Sequence, residues 1–547
     1  MADDLPFTGD ITDSGFFGTD GGVGAADLEP AVIARVDELM ADAPEGREGL
    51  LQVLLGLQRT FRRVSWRVQE LVADRYGLSP AQVAGLVSFF PLLSAERDEP
   101  DGRTDERPGS GVLFRTGSAI LPFPAGRGHR VLDRCGMADD GLEKPGVPDG
   151  AYDVLRSVIM AGNPSEVIDR VKRSGLQERA GSGFPVGLKW AVVSESPGPL
   201  KVVVGSGVDS DPESSAARFL LEGDPHRVLE GMVISAYAVG AQIGRLYLRS
   251  EHLDGVRCAR RAVRQATEMG CVGSGICGSD FDFTIEVCED AGALMSGEET
   301  ALLNVIQGRR GIARPRPPFP SVSGLWGRPT LINSLETLAN IPLVVGGGTA
   351  AGKDPAGRTR LVGVSGRVRR PGVVEVALGT SVARIIEEAA GGCVTGEPTA
   401  VHMGGLGGVT LRPDQLDTPL DFAAVRSLGG QLGSSGLVVL GAGDCPLALV
   451  RALVADGAAA SCGTCPPCRI GLDVVIRLLD RIEGGVAEAS DRDRLERLCD
   501  HIRRSALCEH GRNAARSVLA SLRSFADLYE DHLSARGCPC SGETVGD

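Results

Sequence analysis

The stretch SCGTCPPCRIGL sets Cys462, Cys465 and Cys468 three residues apart, and Cys508 follows 40 residues later in SALCEHG. Three thiols on one short loop, with a fourth held far off, suit three corners of an iron–sulfur cube and a remote fourth ligand. An isolated zinc ribbon would show two C-x2-C pairs; zinc, or buried thiols without metal, are the alternatives the spacing leaves. Any metal reading requires two separated segments to fold against each other. The loop runs into a helical pattern, so backbone N–H groups at the helix start favour an anionic cluster, and Arg469 adds a nearby positive charge. Pro466 and Pro467 stiffen the loop and reduce the entropy lost on binding. A [4Fe–4S] cluster carries single electrons, so another part of the chain should deliver them.

The 547 residues exceed what one core can organise and suggest three or four domains. A formal charge of −14 argues against nucleic acid as the main ligand. No apolar run approaches the roughly 20 residues of a membrane span, so direct membrane insertion is not expected. The acidic opening MADDLPFTGD lacks the apolar core of an export signal, which points to a cytoplasmic location. In that setting the 14 cysteines read as thiols or ligands rather than a disulfide frame.

Patterning divides the chain. Residues 1–27 are a flexible acidic start. Residues 28–95 are helical, with Val32, Ile33, Val36, Leu39 and Met40 on one face and Leu50, Val53, Leu54 and Leu57 on another. Within them Ser79, Pro80 and Gln82 form an N-cap, N1 and N3 signature. Residues 96–111 are a charged, Pro/Gly-rich linker. From 112 to 345, strand-like KVVVGSG, RLYLRSE and FTIEVCE alternate with helical runs, the pattern of an α/β domain. Residues 346–430 are β-rich after a glycine hinge. Residues 431–535 are helical, with stripes at Leu472, Val475, Ile476, Leu479 and Ile482 and at Val518, Leu522, Phe525 and Tyr529. Residues 536–547 form a tail, whose Cys538 and Cys540 offer a redox pair or an incidental metal site as alternatives, an exposed frayed terminus being the preferred reading. The seven histidines show no metal spacing, and His226 in GDPHR is expected to satisfy a helix start.

Four stretches carry a resemblance: SGLQERAGSGFPVGLKW, LLEGDPHRVLEGMVISAYAVGA, GALMSGEETALL and RPRPPFPSVSGLWGRPTLINSLETLAN. In order, and together with the four cysteines, they resemble the flavin- and NADH-binding 51-kDa-type subunit of respiratory complex I. They also resemble the related diaphorase subunits of NAD-linked hydrogenases and formate dehydrogenases. The helical YGLSPAQVAGLVSFF resembles the start of the complex I 24-kDa subunit. The resemblance implies a multidomain α/β protein: an FMN-binding α/β domain over 112–345, a ubiquitin-like β-grasp (SLBB-type) insert over 346–430, and a helical bundle over 431–535 holding a [4Fe–4S] cluster on Cys462, Cys465, Cys468 and Cys508. It implies FMN and NAD(H) as further cofactors, bound by Arg179, Gly181, Ser182, Gly183, Phe184, Lys189, Asp209, Ser210 and Asp211 on the N-terminal side. Gly297, Glu298, Glu299, Arg316, Phe319, Asn333 and Ser334 complete the implied set. Glycines let backbone approach a cofactor, Phe184 can stack on a ring, and Lys189 matches a lysine that meets phosphate. Hydride chemistry belongs to the flavin, so no catalytic side chain is expected. The implied partners are a thioredoxin-like [2Fe–2S] subunit and other subunits of a larger redox complex, which could hold the chain peripherally at the inner face of a membrane. With no cysteine before Cys135, the N-terminal segment cannot itself hold a [2Fe–2S] centre; docking and a plain helical cap remain equal readings of it.

The departures from that family cluster at the flavin. Glu178 and Ala180 stand at glycine positions, Val208 replaces an aspartate, Asp209 and Asp211 replace glutamates, and Ala216 and Ala217 replace a Lys–Asp pair. Leu294 replaces a tyrosine and Ser334 an asparagine. A glutamate beside an anionic phosphate is unfavourable unless it turns outward. Two functions therefore stay open: an NADH dehydrogenase (diaphorase) subunit, or a relay or assembly subunit that keeps the cluster but has lost flavin and NADH.

Overall fold

In a computed structural model the described residues are 28, 30–44, 46–90, 92–94, 119–123, 131–135, 146–181, 183–209, 214–290, 297–347, 358–434, 436–534, 538 and 540. The acidic start, the 96–111 linker, the glycine hinge and most of the tail lie outside them. The chain divides into two units, one of Met1–Gly102 with Gln307–Arg310, the other of Arg103–Ile306 with Gly311–Asp547.

The first unit is helical. Helices α1 (Pro30–Asp42), α2 (Leu50–Phe61), α3 (Trp66–Arg75) and α4 (Pro80–Val87) bury Val32, Val36, Leu50, Val53, Leu54 and Leu57. At the start of α4 the Gln82 side chain accepts from Ser79 N at 2.9 Å, the capping arrangement the residues predict. The Gly85 carbonyl accepts from Arg310 Nε at 2.9 Å, which ties the four-residue excursion to α4.

The second unit begins with α5 (Asp153–Ala161), α6 (Pro164–Ser174), α7 (Val186–Glu195) and β1 (Val202–Gly207). It continues through α8 (Ala216–Gly223), α9 (Pro225–Val239), β2 (Ile243–Arg249), α10 (Leu253–Glu268), β3 (Thr284–Asp290), α11 (Glu299–Ile306), β4 (Thr330–Ser334) and α12 (Leu335–Gly346). The four strands are parallel in the order β3-β2-β1-β4, with Val204 of β1 opposite Arg245 and Ile332. Parallel strands need covering on both faces, which explains the nearly unbroken apolar run of β1 and the all-round burial of α9. Helix α9 is started by Asp224, whose side chain accepts from Arg227 N at 3.1 Å. His226 does not cap it: its ring bonds Tyr152 Oη at 2.9 Å and Gln265 Oε1 at 3.1 Å inside the core. The order of the strands reverses at β1, and the general rule for such sheets puts the ligand crevice at that switch point, beyond the carboxyl ends of β1 and β4.

A second, mixed sheet of β5 (Thr359–Gly366), β6 (Gly372–Ala377), β7 (Ala400–Met403), β8 (Val409–Leu411) and β9 (Gly436–Leu440) is ordered β6-β5-β9-β7-β8. Its strand β9 comes from beyond residue 430, in the stretch read as helical from composition. Valines from β5, β6, β7 and β9 pack with Ile385 and Ile386 to form its core. The C-terminal bundle comprises α13 (Pro446–Ala459), α14 (Gly471–Glu483), α15 (Asp491–Ser505), α16 (Glu509–Ser524) and α17 (Ala526–Ser534), with Leu472, Val475, Leu479, Leu495, Ile502 and Val518 inside. No helix among the described residues is long and apolar enough to cross a membrane.

Candidate functional site

Helix α12 starts where β4 ends, with Ser334 as its N-cap, so its unsatisfied N–H groups face the crevice. The group they meet is the side chain of Glu178. Its Oε1 accepts from Ser334 N at 3.1 Å, Ser334 Oγ at 2.7 Å, Thr337 Oγ1 at 2.5 Å and Arg179 N at 3.2 Å. Its Oε2 accepts from Asn333 Nδ2 at 2.6 Å and lies 3.6 Å from Lys189 Nζ. Burial alone would raise this carboxyl, but the Lys189 charge and the Thr337, Ser334 and Asn333 hydrogen bonds outweigh it and hold it below its usual range. The glutamate therefore turns inward, and its charge is balanced rather than exposed.

Lys189 is partly buried and links β4 to the start of α11. Its ammonium donates to Ile332 O at 2.8 Å and to Glu299 Oε1 at 3.2 Å. Burial works against its charge, yet the Glu299 and Glu178 carboxylates raise it above its ordinary value. Glu298 caps α11, accepting from Thr300 N at 3.0 Å and Ala301 N at 2.9 Å, while its other oxygen pairs with Arg316. Arg316 also lies 3.6 Å from Glu299. Phe184 and Phe319 are 50% and 54% exposed, as ring-stacking residues of an open pocket would be. Asn333 is oriented by Trp190, whose Nε1 donates to Asn333 Oδ1 at 3.2 Å.

The structure thus brings Lys189, Glu298, Glu299, Arg316, Asn333 and Ser334 into one connected network. Other expected residues do different work. The Arg179 side chain is buried away from the crevice, 3.8 Å from Glu336 of α12, because its charge needs a partner inside the fold. Gly181 and Gly183 have positive φ, and a Cβ on Gly183 would sit 2.6 Å from the Phe422 ring, so packing demands glycine there. Asp209 is half-buried and accepts from Ala217 N at 3.1 Å, serving the start of α8; desolvation raises its carboxyl to about 6. Ser182, Ser210 and Asp211, and Leu294 among the departures, lie outside the described residues. Gly297 is exposed just ahead of α11. Thr337 belongs to this network and was missed by sequence reasoning; its place at the third position of α12 after an N-cap serine was the available signal.

The cysteine loop follows α13, and Cys508 is the N-cap of α16. Backbone N–H groups of His510 and Gly511 point to the Cys508 sulfur. Ser461 Oγ is 3.2 Å from Cys468 Sγ, and Cys462 and Cys508 share a contact group with Leu507, Ala301 and Ala313. A Cβ on Gly511 would lie 3.2 Å from Cys468 Sγ, so glycine keeps the space beside that sulfur clear. Burial raises the Cys468 and Cys508 thiols to about 11 and about 12, protons that a metal centre would displace. Arg469 turns back to the loop, donating to Gly463 O at 3.2 Å. The sulfurs converge, yet these four cysteines do not supply three ligand atoms within 4.8 Å of one another, the spacing for a single ion, as a set elsewhere does. Wider spacing with a glycine-cleared cradle fits a four-iron cube. The donors around Glu178 likewise fit the phosphate of a flavin nucleotide, with Glu178 as the anion that must yield to it.

Comparison with known proteins adds three matches. Residues 171–343 match the Nuo51 FMN-binding domain, 361–414 the SLBB domain, and 448–532 the NADH-ubiquinone oxidoreductase-F iron-sulfur binding region. The F 2 subunit of NADH-quinone oxidoreductase from Rhizobium meliloti (strain 1021) is 38% identical over 395 residues, spanning 71% of this chain and 94% of that one. NADP-reducing hydrogenase subunit HndC of Solidesulfovibrio fructosivorans is 37% identical over 420 residues, 75% and 84% of the two chains. A chain from the crystal structure of NAD+-reducing [NiFe]-hydrogenase in the H2-reduced state superposes with a TM-score of 0.70 at 23% identity, covering 91% of this chain and 94% of that one, a likeness of fold.

Proposed function

The chain belongs to the Nuo51 family, the flavin-site subunits of NADH-quinone oxidoreductases and their hydrogenase relatives, and from that premise we propose that it is a diaphorase subunit. It takes electrons from NADH and passes them through a [4Fe–4S] centre to a partner subunit of a larger redox complex. FMN, when bound, supplies the conversion of a two-electron hydride into single electrons. Lys189, Asn333, Ser334 and Thr337 hold its phosphate, and Phe184 and Phe319 flank the rings. Glu298, Glu299 and Arg316 orient the nicotinamide nucleotide. Cys462, Cys465, Cys468 and Cys508 bind the cluster.

One observation carries this reading: Ala301, in the first turn of α11, packs with Cys462 and Cys508, while Glu298 and Glu299 at the start of that helix pair with Arg316 and Lys189. Pocket and cluster therefore share one short helix, which gives electrons a short path. We place the first domain at 112–345 and extend the β-grasp domain to residue 440, so that β9 stays with its sheet. The partner we propose is a thioredoxin-like [2Fe–2S] subunit, with the N-terminal helices as its docking element. The complex is expected on the cytoplasmic side, peripheral to any membrane.

A second reading, a relay or assembly subunit without flavin, is favoured by the Glu178 carboxylate among the phosphate donors. Visible spectra of anaerobically purified protein separate the two. A flavin band bleached by NADH, followed by loss of iron–sulfur absorption, supports the first reading. Iron–sulfur absorption that NADH leaves unchanged after FMN has been added overturns it.

A further inference from the structure

We propose that Cys445, His532, Cys538 and Cys540 form a second metal site, a closed four-ligand zinc site that pins the end of the chain to the helical bundle. The four residues come from opposite ends of that bundle's sequence. Cys445 immediately precedes α13, His532 lies in the last turn of α17, and the two further cysteines follow that helix. Cys445 Sγ and His532 Nε2 are 3.4 Å apart, and the ligand atoms of Cys445, His532 and Cys538 all lie within 4.8 Å of one another. The Cys540 thiol lies outside that 4.8 Å trio but hydrogen-bonds with both Cys445 and Cys538, which makes it the neighbouring sulfur able to close a fourth position. The pair read as a frayed terminus is instead half-buried against the bundle core, and His532 is fully buried.

The spacing selects the kind of group. Bonds of about 2.3 Å to sulfur and about 2.1 Å to nitrogen place tetrahedral ligand atoms roughly 3.5–4 Å apart, which suits one ion and is too tight for a cube. Three thiolates and one imidazole are the donor set of structural zinc, with no position left open for water or substrate. His532 Nδ1 has no hydrogen-bond partner at ordinary geometry, and the nearby Glu483 and Ile482 carbonyls are the groups that could accept its N–H once Nε2 binds a metal. Binding requires each of the three thiols to release its proton as a sulfur–zinc bond forms, with no change of oxidation state. The site is separate from the iron–sulfur cysteines: α13, 14 residues and about 21 Å long, stands between Cys445 and Cys462. Its effect is structural, closing the chain end onto the start of the helix that leads to the cluster loop.

The test is metal analysis of the full chain purified anaerobically without added zinc. Expected are about one zinc and about four irons per chain, with a zinc absorption-edge spectrum fitted by three sulfurs and one nitrogen. The Cys538→Ser/Cys540→Ser double variant is expected to lose the zinc, keep the iron and melt at lower temperature. Cys468→Ala should do the reverse, losing iron and keeping zinc. Wild-type protein with full iron but less than about a tenth of a zinc per chain overturns the proposal. So do zinc retained by the double variant, zinc lost with the iron in Cys468→Ala, a disulfide among the three cysteines in the purified protein, or another metal at stoichiometry. The wild-type content and spectrum decide the matter even if the double variant does not fold.

Discussion

Replacing Glu178 by glycine tests the electrostatic logic of the crevice directly. Five hydrogen bonds between 2.5 and 3.2 Å converge on its carboxylate, and Lys189 adds an ion pair at 3.6 Å. Hydrogen bonds to a charged group contribute about 1.5–3 kcal/mol each, but a carboxylate leaving the site regains its hydration and these values do not add. A net preference of about 3 kcal/mol for the inward position is a conservative figure. On the proposed site the FMN phosphate would have to displace that carboxylate, and its apparent Kd would be weakened by roughly 100-fold. Glu178→Gly should therefore bind FMN about 100-fold more tightly than the native chain, and Glu178→Gln should fall between them. Fluorescence quenching on titrating FMN into deflavinated protein measures this. Riboflavin is the control: lacking the phosphate, it should bind both proteins alike. Without ligand the glycine variant should melt lower, since Lys189 and Asn333 lose their anion, and inorganic phosphate should restore the loss. Unchanged FMN affinity, or an equal gain for riboflavin, would refute the reasoning.

Three further outcomes are expected. Cys468→Ala should lose cluster iron, measured by iron content and by the paramagnetic signal of the reduced protein; full iron content refutes its role as ligand. Glu336, buried beside Arg360 and Arg179, is raised by burial from 4.5 to about 7, so the stability it contributes is fully present below about 4.5 and lost as pH rises through about 7. That shift corresponds to about 3 kcal/mol, and Glu336→Gln should reduce the fall in Tm between pH 5 and 8; an unaltered pH dependence counts against it. Leu479→Ala, emptying a fully buried position of α14, should destabilise the bundle by about 2–5 kcal/mol and release the cluster at lower temperature in a thermal ramp followed by visible absorption.

What the chain reveals in advance is whatever its chemistry states locally. The Ser79–Gln82 cap, the strands of the parallel sheet and the stripe on α14 are periodic or adjacent signals, and each forms as read. The grouping of Cys462, Cys465 and Cys468 was legible because the three share one loop. Glu178 was not, because its acceptor role is set by donors 155 to 159 residues away. Read alone, it is an anion where an anion binds; read with Thr337 and Ser334, it is a satisfied one. Arg179 has the same history, since Glu336 claims it from α12. Cys445 and His532 are 87 residues apart, and only packing of the bundle brings them to 3.4 Å. Strand β9 lies beyond a compositional boundary because a sheet recruits strands by register, not by neighbourhood.

Charge accounting joins the two functional readings into one quantity. Three carboxylates, Glu178, Glu298 and Glu299, face two cations, Lys189 and Arg316, which leaves one net negative charge in the connected network. A phosphate adds about −1.5 to −2 at neutral pH. With Glu178 inside, that addition meets like charge in a buried place, and repulsion there is only weakly screened. With Glu178 outside, the remaining two carboxylates and two cations are neutral before the phosphate arrives, and the donors of Lys189, Asn333 and α12 are free to receive it. Flavin occupancy and the position of one side chain are thus the same equilibrium. On the proposed site, a complex that held Glu178 outward would favour flavin binding, and one that left it inward would oppose it.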